Sequence, residues 1–193
     1  GARRGRKKDQ TDTPQGALSL MIKQGLSVAI ITYNEEANIR RTLESVMWAT
    51  EIVVVDSGST DDTVSICREY TDEVFHRDWQ GYANQKNFAI DQSSGEWVLS
   101  LDADELVEPA LADEIRAIIS SPQSLDAYWI PRKTFLLGKW VRHGGWYPDY
   151  NLRLFRKGKG RLEERAVHEA LHVRGILGRT RHALEHHTYP DLS

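Results

Sequence analysis

Apolar positions along the chain fall in short bursts separated by polar turns. Ser27–Tyr33, SVAIITY, is a near-continuous apolar and β-branched run of strand length, the pattern of a strand covered on both faces in a parallel sheet. Ile39, Leu43, Val46 and Met47 then fall on one face of a helix. Ile52–Val55 repeats the strand pattern, and Ser59-x-x-Asp62 is a capping-box variant that opens a second helix, with Asp61 and Asp62 suited to its first turn. Val74-Phe75 reads as a short strand, Tyr82–Ile90 as a helix, and Trp97–Leu101 (WVLSL) as another strand. Leu111, Ile115, Ile118 and Ile119 mark a further helix face. Strand and helix thus alternate from Ser27 to Ile119, which predicts an α/β domain whose helices make right-handed crossovers onto a parallel sheet. Beyond Ser120 the pattern changes. Tyr128–Leu137 and Leu152–Phe155 read as strands joined by an aromatic loop, GKWVRHGGWYPDY, and neither a repeat nor a linker divides the chain.

Charge adds a second feature. The net charge is −3, yet residues 1–25 carry six Lys or Arg against two Asp, so the body is the acidic part. Those 25 residues lack an apolar period and are expected to be a disordered basic tail. Such a tail is attracted to anionic surfaces, lipid headgroups or nucleic acid, or serves solubility alone. No apolar run reaches the length that spans a bilayer, and the start lacks the apolar stretch of a secretory signal. The single cysteine, Cys67, lies among Val64 and Ile66, reads as buried packing and fits a reducing compartment.

The chemistry gathers where strands end. Open α/β sheets bind ligands at the carboxyl ends of their strands. The first strand runs into Thr32-Tyr33-Asn34-Glu35-Glu36, the second into Asp56-Ser57-Gly58-Ser59, and the WVLSL strand into Asp102-Ala103-Asp104. Two carboxylates held close repel unless a cation joins them, and hard oxygen ligands suit Mg²⁺ or Mn²⁺; capping of the helix that starts at Pro109 is the alternative for this D-x-D pair. Neither G-x-G-x-x-G nor G-x-x-x-x-G-K-[ST] occurs, which disfavours the usual dinucleotide fold and P-loop NTPases.

SVAIITYNEE, IVVVDSGSTDDT, Gln85-Lys86-Asn87 and LDAD, in that order, resemble family 2 glycosyltransferases of the GT-A fold. The resemblance covers about Leu26 to Glu108. GGWYPDYNLRLFRKG and AVHEAL resemble the branch that builds lipopolysaccharide inner core, including β-glucosyltransferases acting on heptose. It implies a single Rossmann-like GT-A domain over 26–193 with a mostly parallel central sheet: a nucleotide-sugar half at 26–108, an acceptor half at 109–193, and more chain after Ser193. It implies an inverting, metal-dependent hexosyltransferase that moves a sugar, glucose in the nearest branch, from a UDP-sugar to a saccharide or glycolipid acceptor. Tyr33 and Glu35, with Thr32 and Ser57 nearby, would lie beside the nucleoside. Asp56 would bond the uracil, Lys86 would pair with the diphosphate, and Asp102 with Ala103 would meet the ribose or a metal-bound water. Asp104 and His168 would bind Mg²⁺ or Mn²⁺. Asp149 would be the catalytic base, although Pro148 stands where many relatives have Glu. Trp146, Tyr147 and Glu169 would contact the acceptor. The expected setting is the cytoplasm, at the inner face of the bacterial inner membrane, without a nucleic-acid partner.

His168-Glu169-Ala170-Leu171-His172 also spells H-E-x-x-H, the zinc signature of many metalloproteases. A zinc metallohydrolase therefore stands as one alternative, and a non-catalytic nucleotide-sugar-binding module as another. The metzincin position after Gly175 is Gly178, which is no ligand, and the segment alternates as readily as it turns helically. His182 and His186 have helical spacing and, with His187, read as surface or packing residues. Arg142, His143, Trp140, Trp146 and Tyr147 either meet an acceptor or pack their loop. Arg153 and Arg156 either attract a phosphate-bearing acceptor or line a solvated strand face.

Overall fold

The computed structural model describes residues 23–136, 139–141, 147–163 and 170–188. In chain order these form β1 (Lys23–Thr32), α1 (Ile39–Val46), β2 (Glu51–Asp56), α2 (Thr63–Arg68), β3 (Val74–His76), α3 (Tyr82–Gln92), β4 (Gly95–Asp102), β5 (Glu105–Val107), α4 (Pro109–Ser120), β6 (Ala127–Leu136), β7 (Lys139–Trp140), β8 (Asp149–Arg156), β9 (Gly160–Glu163), β10 (Ala170–Val173), β11 (Leu177–Arg179) and β12 (Leu184–Thr188). The main sheet runs β3-β2-β1-β4-β8-β6-β12-β5, with β7 and β11 added beside β6. Its first four strands are parallel, as the alternation of strand and helix predicts. From β8 onward antiparallel and parallel pairings mix. A separate hairpin pairs β9 with β10.

Both faces of the parallel part are covered. Leu26, Val28 and Ile30 of β1 pack with Ile39, Leu43, Cys67, Leu111 and Ile115 from α1, α2 and α4. The intervening Ala29 and Ile31 pack on the other face with Ala89 and Ile90 of α3. Strict alternation of side chains across a strand requires this division. It explains why the run reads as continuously apolar. Each large side chain withdrawn from water contributes about 1.5–3 kcal/mol.

Several local expectations shift. Lys23–Gly25 belongs to β1 rather than to the tail; the rest of that tail, residues 1–22, lies outside the described residues. Met47 is the C-cap of α1 and is exposed. Asp62, not Ser59, is the N-cap of α2. Ser59 is drawn instead into the preceding turn, and Asp61 accepts the Thr63 N–H at 3.0 Å. The helical reading of His182 and His186 gives way to β12, whose Leu184 is fully buried between β5 and β6. Besides β3, which Val74-Phe75 announced, five described strands, β5, β7, β9, β10 and β11, are two to four residues long, too short for a periodicity to declare itself.

Topology brings the polar strand ends to one rim. Thr32 stands opposite Asp56, and Ile31 opposite Asp102, in parallel register. Because β8 runs antiparallel to β4, its first residue, Asp149, arrives at the edge where β4 ends. β12 pairs antiparallel with β5, which places His186 opposite Glu105 just after the D-x-D turn.

Candidate functional site

Two loops are laced together at the carboxyl ends of β1 and β2. Asn34 adopts φ 52°, a left-handed conformation that Asn tolerates. From there its N–H donates to Ser59 Oγ at 2.8 Å and its Oδ1 accepts the Thr60 N–H at 2.8 Å. Glu35 N–H donates to Thr63 Oγ1 at 2.8 Å, and Glu36 accepts the Asp62 N–H at 3.0 Å. Asp56 closes the second loop, accepting the Gly58 and Ser59 N–H groups at 2.9 and 3.0 Å and the Ser59 hydroxyl at 2.5 Å. Gly58 has φ +97°, which an L side chain rarely adopts. These loops are therefore held by hydrogen bonds within and between themselves.

Beyond β4 the chain reverses in a tight turn through Ala103 and Asp104. The Asp102 N–H donates to Glu105 Oε2 at 3.0 Å, and the Ala103 carbonyl accepts the Thr42 hydroxyl at 2.7 Å. Asp102 meets Lys86 Nζ at 2.7 Å through Oδ1 and Arg153 Nη2 at 2.7 Å through Oδ2. Asp104 Oδ2 lies 3.0 Å from His186 Nε2. The residue after Asp104, Glu105, is completely buried, and Arg153 Nη2 approaches it at 2.6 Å.

A cleft of about 720 Å³ opens over this rim, lined by Thr32, Tyr33, Glu35, Ser57, Trp79, Tyr82, Lys86, Asp102, Ala103, Asp104 and His186, with Ile31 at its floor. Its volume is that of a small-molecule site. Tyr33, Trp79 and Tyr82 are half-exposed at its edge, and the rings of Trp79 and Tyr82 meet edge to face at 4.6 Å. Exposed rings beside polar groups suit a ligand with a flat base or sugar face.

The cleft is electrostatically divided. Burial raises the Glu35 carboxyl above its ordinary value, and repulsion from Asp104, Asp61 and Asp102 adds to this against the Asn38 amide. Burial also opposes charge on Asp102, but Arg153 and then Lys86 outweigh it and hold that carboxyl far below the usual range. Hydrogen bonding to Asp104 raises the His186 imidazole despite burial. Burial pushes Glu105 upward against the pull of Arg153. Asp102 is thus neutralised by protein cations, whereas Asp104 and Glu35 face one another across the cleft without a lysine or arginine of their own among the described contacts.

A divalent cation fits this setting. Asp104 offers a hard oxygen and His186 an imidazole, and added positive charge would relieve the repulsion felt by Glu35. Among the described residues no three acidic, His or Cys side chains cluster tightly enough to hold a metal unaided. Phosphate oxygens and water would complete the shell, as they commonly do for Mg²⁺.

Of the expected site residues, Thr32, Tyr33, Glu35, Ser57, Lys86, Asp102, Ala103 and Asp104 share the cleft. Asp56 adjoins it, but at 3% exposure its carboxylate serves the turn rather than the wall. Asp149 stands at the neighbouring edge of β8, where Arg132 holds its Oδ2 with Nε at 3.0 Å and Nη2 at 2.7 Å. Tyr147 packs edge to face on Trp140 at 5.4 Å. Trp146, His168 and Glu169 lie outside the described residues, as do Arg142 and His143. Residues 170–173 form β10, so His172 sits on a strand, 3.5 Å from Glu163. The described part of the H-E-x-x-H motif, residues 170–172, is thus strand and not the helix such a zinc site uses, which counts against the metallohydrolase reading.

Other residues enter unannounced. His186 reads from sequence as a surface or packing residue, but strand pairing turns it to Asp104. Arg153 is buried rather than solvated, and Arg156 pairs with Glu96 and covers the Trp97 ring at 4.5 Å. Trp79 and Tyr82 flank Gly81 at the start of α3; aromatic residues around a loop glycine were the one available signal.

The architecture and the cleft are those of a GT-A nucleotide-diphospho-sugar transferase. S. aureus TarS in complex with UDP-GlcNAc superposes with a TM-score of 0.61 at 19% identity, over 86% of this chain and 59% of that one. The model for Glycosyl transferase family 2 matches residues 27–180, and the chain belongs to that family. The lipopolysaccharide core biosynthesis glycosyltransferase LpsC of Rhizobium meliloti is 36% identical over 165 residues, 82% of this chain and 61% of the relative. An uncharacterized glycosyltransferase of Rickettsia typhi is 46% identical over 97 residues, 50% of this chain and 33% of the relative. The chain thus spans less than two thirds of the length of either relative.

Proposed function

We propose that the chain is an inverting hexosyltransferase that moves a sugar, glucose by preference, from a UDP-sugar to a saccharide acceptor, the heptose of lipopolysaccharide core. The observation that carries this reading is the meeting of Asp102, Asp104 and Lys86 in one cleft at the carboxyl ends of parallel strands. Membership of the family and the likeness to LpsC support the reaction class and the acceptor class.

The nucleoside lies against Tyr33 and the Trp79–Tyr82 pair, with Thr32, Ser57 and Asp102 reaching its polar edges. Thr32 Oγ1 is buried in the cleft wall and lacks a hydrogen-bond partner among the described residues, so a ligand hydroxyl or carbonyl there satisfies it. As the bond from the anomeric carbon to the phosphate oxygen breaks, negative charge grows on the leaving diphosphate. Lys86 Nζ carries three N–H donors and directs one at Asp102 in a hydrogen bond, leaving others for that diphosphate. Asp104 and His186, with His168 as the further ligand expected from the resemblance, would hold a divalent ion, which would supply additional charge neutralisation at the diphosphate. Asp149 takes the proton from the acceptor hydroxyl. Among the described residues every hydrogen bond to its carboxylate falls on Oδ2, from Arg132 and from Asn151 Nδ2 at 3.2 Å, which leaves Oδ1 for that proton. Such general-base help is worth about 10²–10⁴-fold. Attack from the face opposite the diphosphate inverts the anomeric carbon without a covalent enzyme intermediate.

The test is UDP release from UDP-glucose with Mg²⁺ or Mn²⁺, with and without heptose-containing core acceptor, and NMR of the product's anomeric proton. Asp104→Asn should remove metal-dependent turnover, by about 10²-fold or more. Protein that binds no UDP-sugar with either metal sinks the reading. Protein that binds UDP-sugar with metal but never turns it over favours a non-catalytic binding module.

A further inference from the structure

The cleft and Asp149 are joined by an unbroken line of alternating charges. It runs from Lys86 on α3 to Asp102 on β4 (2.7 Å), to Arg153 on β8 (2.7 Å), to Glu105 on β5 (2.6 Å), to Arg132 on β6 (3.8 Å) and to Asp149 on β8 (2.7 Å). Five secondary-structure elements contribute, and three positive groups balance three negative ones. Burial peaks in the middle: Glu105 is inaccessible and the Arg153 side chain is 8% exposed, whereas Arg132 is 26% and Asp149 39% exposed. Glu105 touches both arms. Its Oε2 accepts the Asp102 N–H at 3.0 Å, which fixes the D-x-D turn, and its Oε1 faces the Arg153 and Arg132 guanidiniums.

We propose that Glu105 is a positioning residue that locks Asp102 of the donor cleft and Asp149 of the acceptor edge into one geometry, acting through Arg153 and Arg132. The inference rests on the assignment of those two carboxylates to donor and base. Its physical ground is that buried charges must be paired in good geometry. With Glu105 in place, neither guanidinium can swing away without exposing an unpaired ion, so the Arg132 fork cannot release or tilt Asp149. A guanidinium grips a carboxylate oxygen through two N–H groups in a fixed plane, which an ammonium cannot imitate. An aspartate at a strand start beside a loop would otherwise sample several rotamers, and misplacement of a base by an ångström is costly to transfer.

The experiment uses the full chain and compares Glu105→Gln, Arg132→Lys and the double variant. It reads kcat and KM for UDP-glucose, UDP affinity by calorimetry, and the ratio of acceptor-dependent transfer to acceptor-independent hydrolysis of UDP-glucose. Glu105→Gln keeps the shape but replaces one carboxylate oxygen with a nitrogen that faces a donor. It should lower kcat about tenfold or more while UDP affinity stays within about threefold. Arg132→Lys, partly exposed and outside the buried centre, should lower the transfer-to-hydrolysis ratio about tenfold with KM for the donor unchanged. The double variant should lose little beyond Glu105→Gln alone, since both act through one contact.

Fully additive losses, or a transfer-to-hydrolysis ratio unmoved in Arg132→Lys, overturn the proposal. So does a Glu105→Gln enzyme within about twofold of wild-type kcat. If Glu105→Gln does not fold, the ratio in Arg132→Lys decides alone. Wild-type protein that releases no UDP overturns the donor reading and this inference with it, and is seen before any variant is made.

Discussion

Replacing Arg153 with methionine tests the electrostatic centre of the molecule independently of catalysis. Methionine fills much of the volume of the arginine stem but, among the described residues, leaves Glu105 sealed in the protein with Arg132 Nη1 at 3.8 Å as its one cation, and Asp102 with Lys86 as its one cation. At an effective dielectric near 20, a pair at the 2.6 Å separation of Arg153 and Glu105 attracts by about 6 kcal/mol. The Arg153–Asp102 pair at 2.7 Å is similar. Desolvation of each buried ion offsets several kcal/mol of this. Breaking such a pair from one side typically costs about 3–5 kcal/mol, because an uncompensated charge remains. For a chain of this size that is a fall in Tm of roughly 6–20 °C. The double variant Arg153→Met/Glu105→Met removes both buried charges together. It should recover most of the loss, since an apolar replacement of a buried pair is often close to neutral. Urea unfolding at pH 7, followed by far-UV circular dichroism, gives the midpoints. If Arg153→Met unfolds within about 0.5 kcal/mol of wild type, or the double variant is less stable than the single, the guanidinium is not the charge partner argued here.

Two further expectations use other parts of the fold. Glu114 on α4 accepts the Arg181 N–H at 2.9 Å, the His182 N–H at 2.9 Å and the His182 ring at 2.8 Å. Burial opposes its charge, but these bonds prevail and hold its carboxyl below the ordinary 4.5. A carboxyl lowered by folding contributes stability above its unfolded pKa and loses it as pH falls through the folded one. Glu114→Gln should therefore lower Tm at pH 7 and flatten the decline of Tm below pH 4.5, and superimposable curves would contradict the assignment. Burial pushes the lone Cys67 thiol up to about 12. At pH 8 the native protein should resist a thiol reagent and then take up one equivalent per chain in urea; rapid native labelling would show that α2 opens locally.

The parallel half of the fold was legible because its rules are local. SVAIITY declares a doubly covered strand by its own composition, and the rim follows from placing three such strands side by side. The part after Ser120 was not, because its short strands take their identity from partners. Leu184–Thr188 carries two adjacent histidines and a glutamate, and a reader who sees only spacing finds a helix there as easily as a strand. What decides is β5, three residues that exist because the D-x-D turn sends the chain back toward β12. His186 reaches Asp104 by that pairing alone, and no motif in its own neighbourhood could have announced it.

The buried charges follow the same logic and sharpen it. Arg153 sits between Leu152 and Leu154, where strand alternation suggests either a contact for a phosphate-bearing acceptor or a solvated face. Periodicity assigns a side to a residue but not what covers that side. Here β4 and β6 flank β8, and Asp102 and Glu105 meet Arg153 from the turn that follows β4. A hydrophobic residue at 153 would satisfy burial but leave Asp102 to Lys86 alone and Glu105 to the more distant Arg132, beside a cleft that already holds Asp104 and Glu35. The guanidinium confines the carboxylates that have no lysine or arginine partner among the described contacts to the side of the cleft where a cation and a diphosphate are expected. It also lets Asp102 remain ionised next to Asp104, where two free carboxylates would repel. The arginine is thus best understood as part of the D-x-D site, supplied from a strand about fifty residues further along the chain.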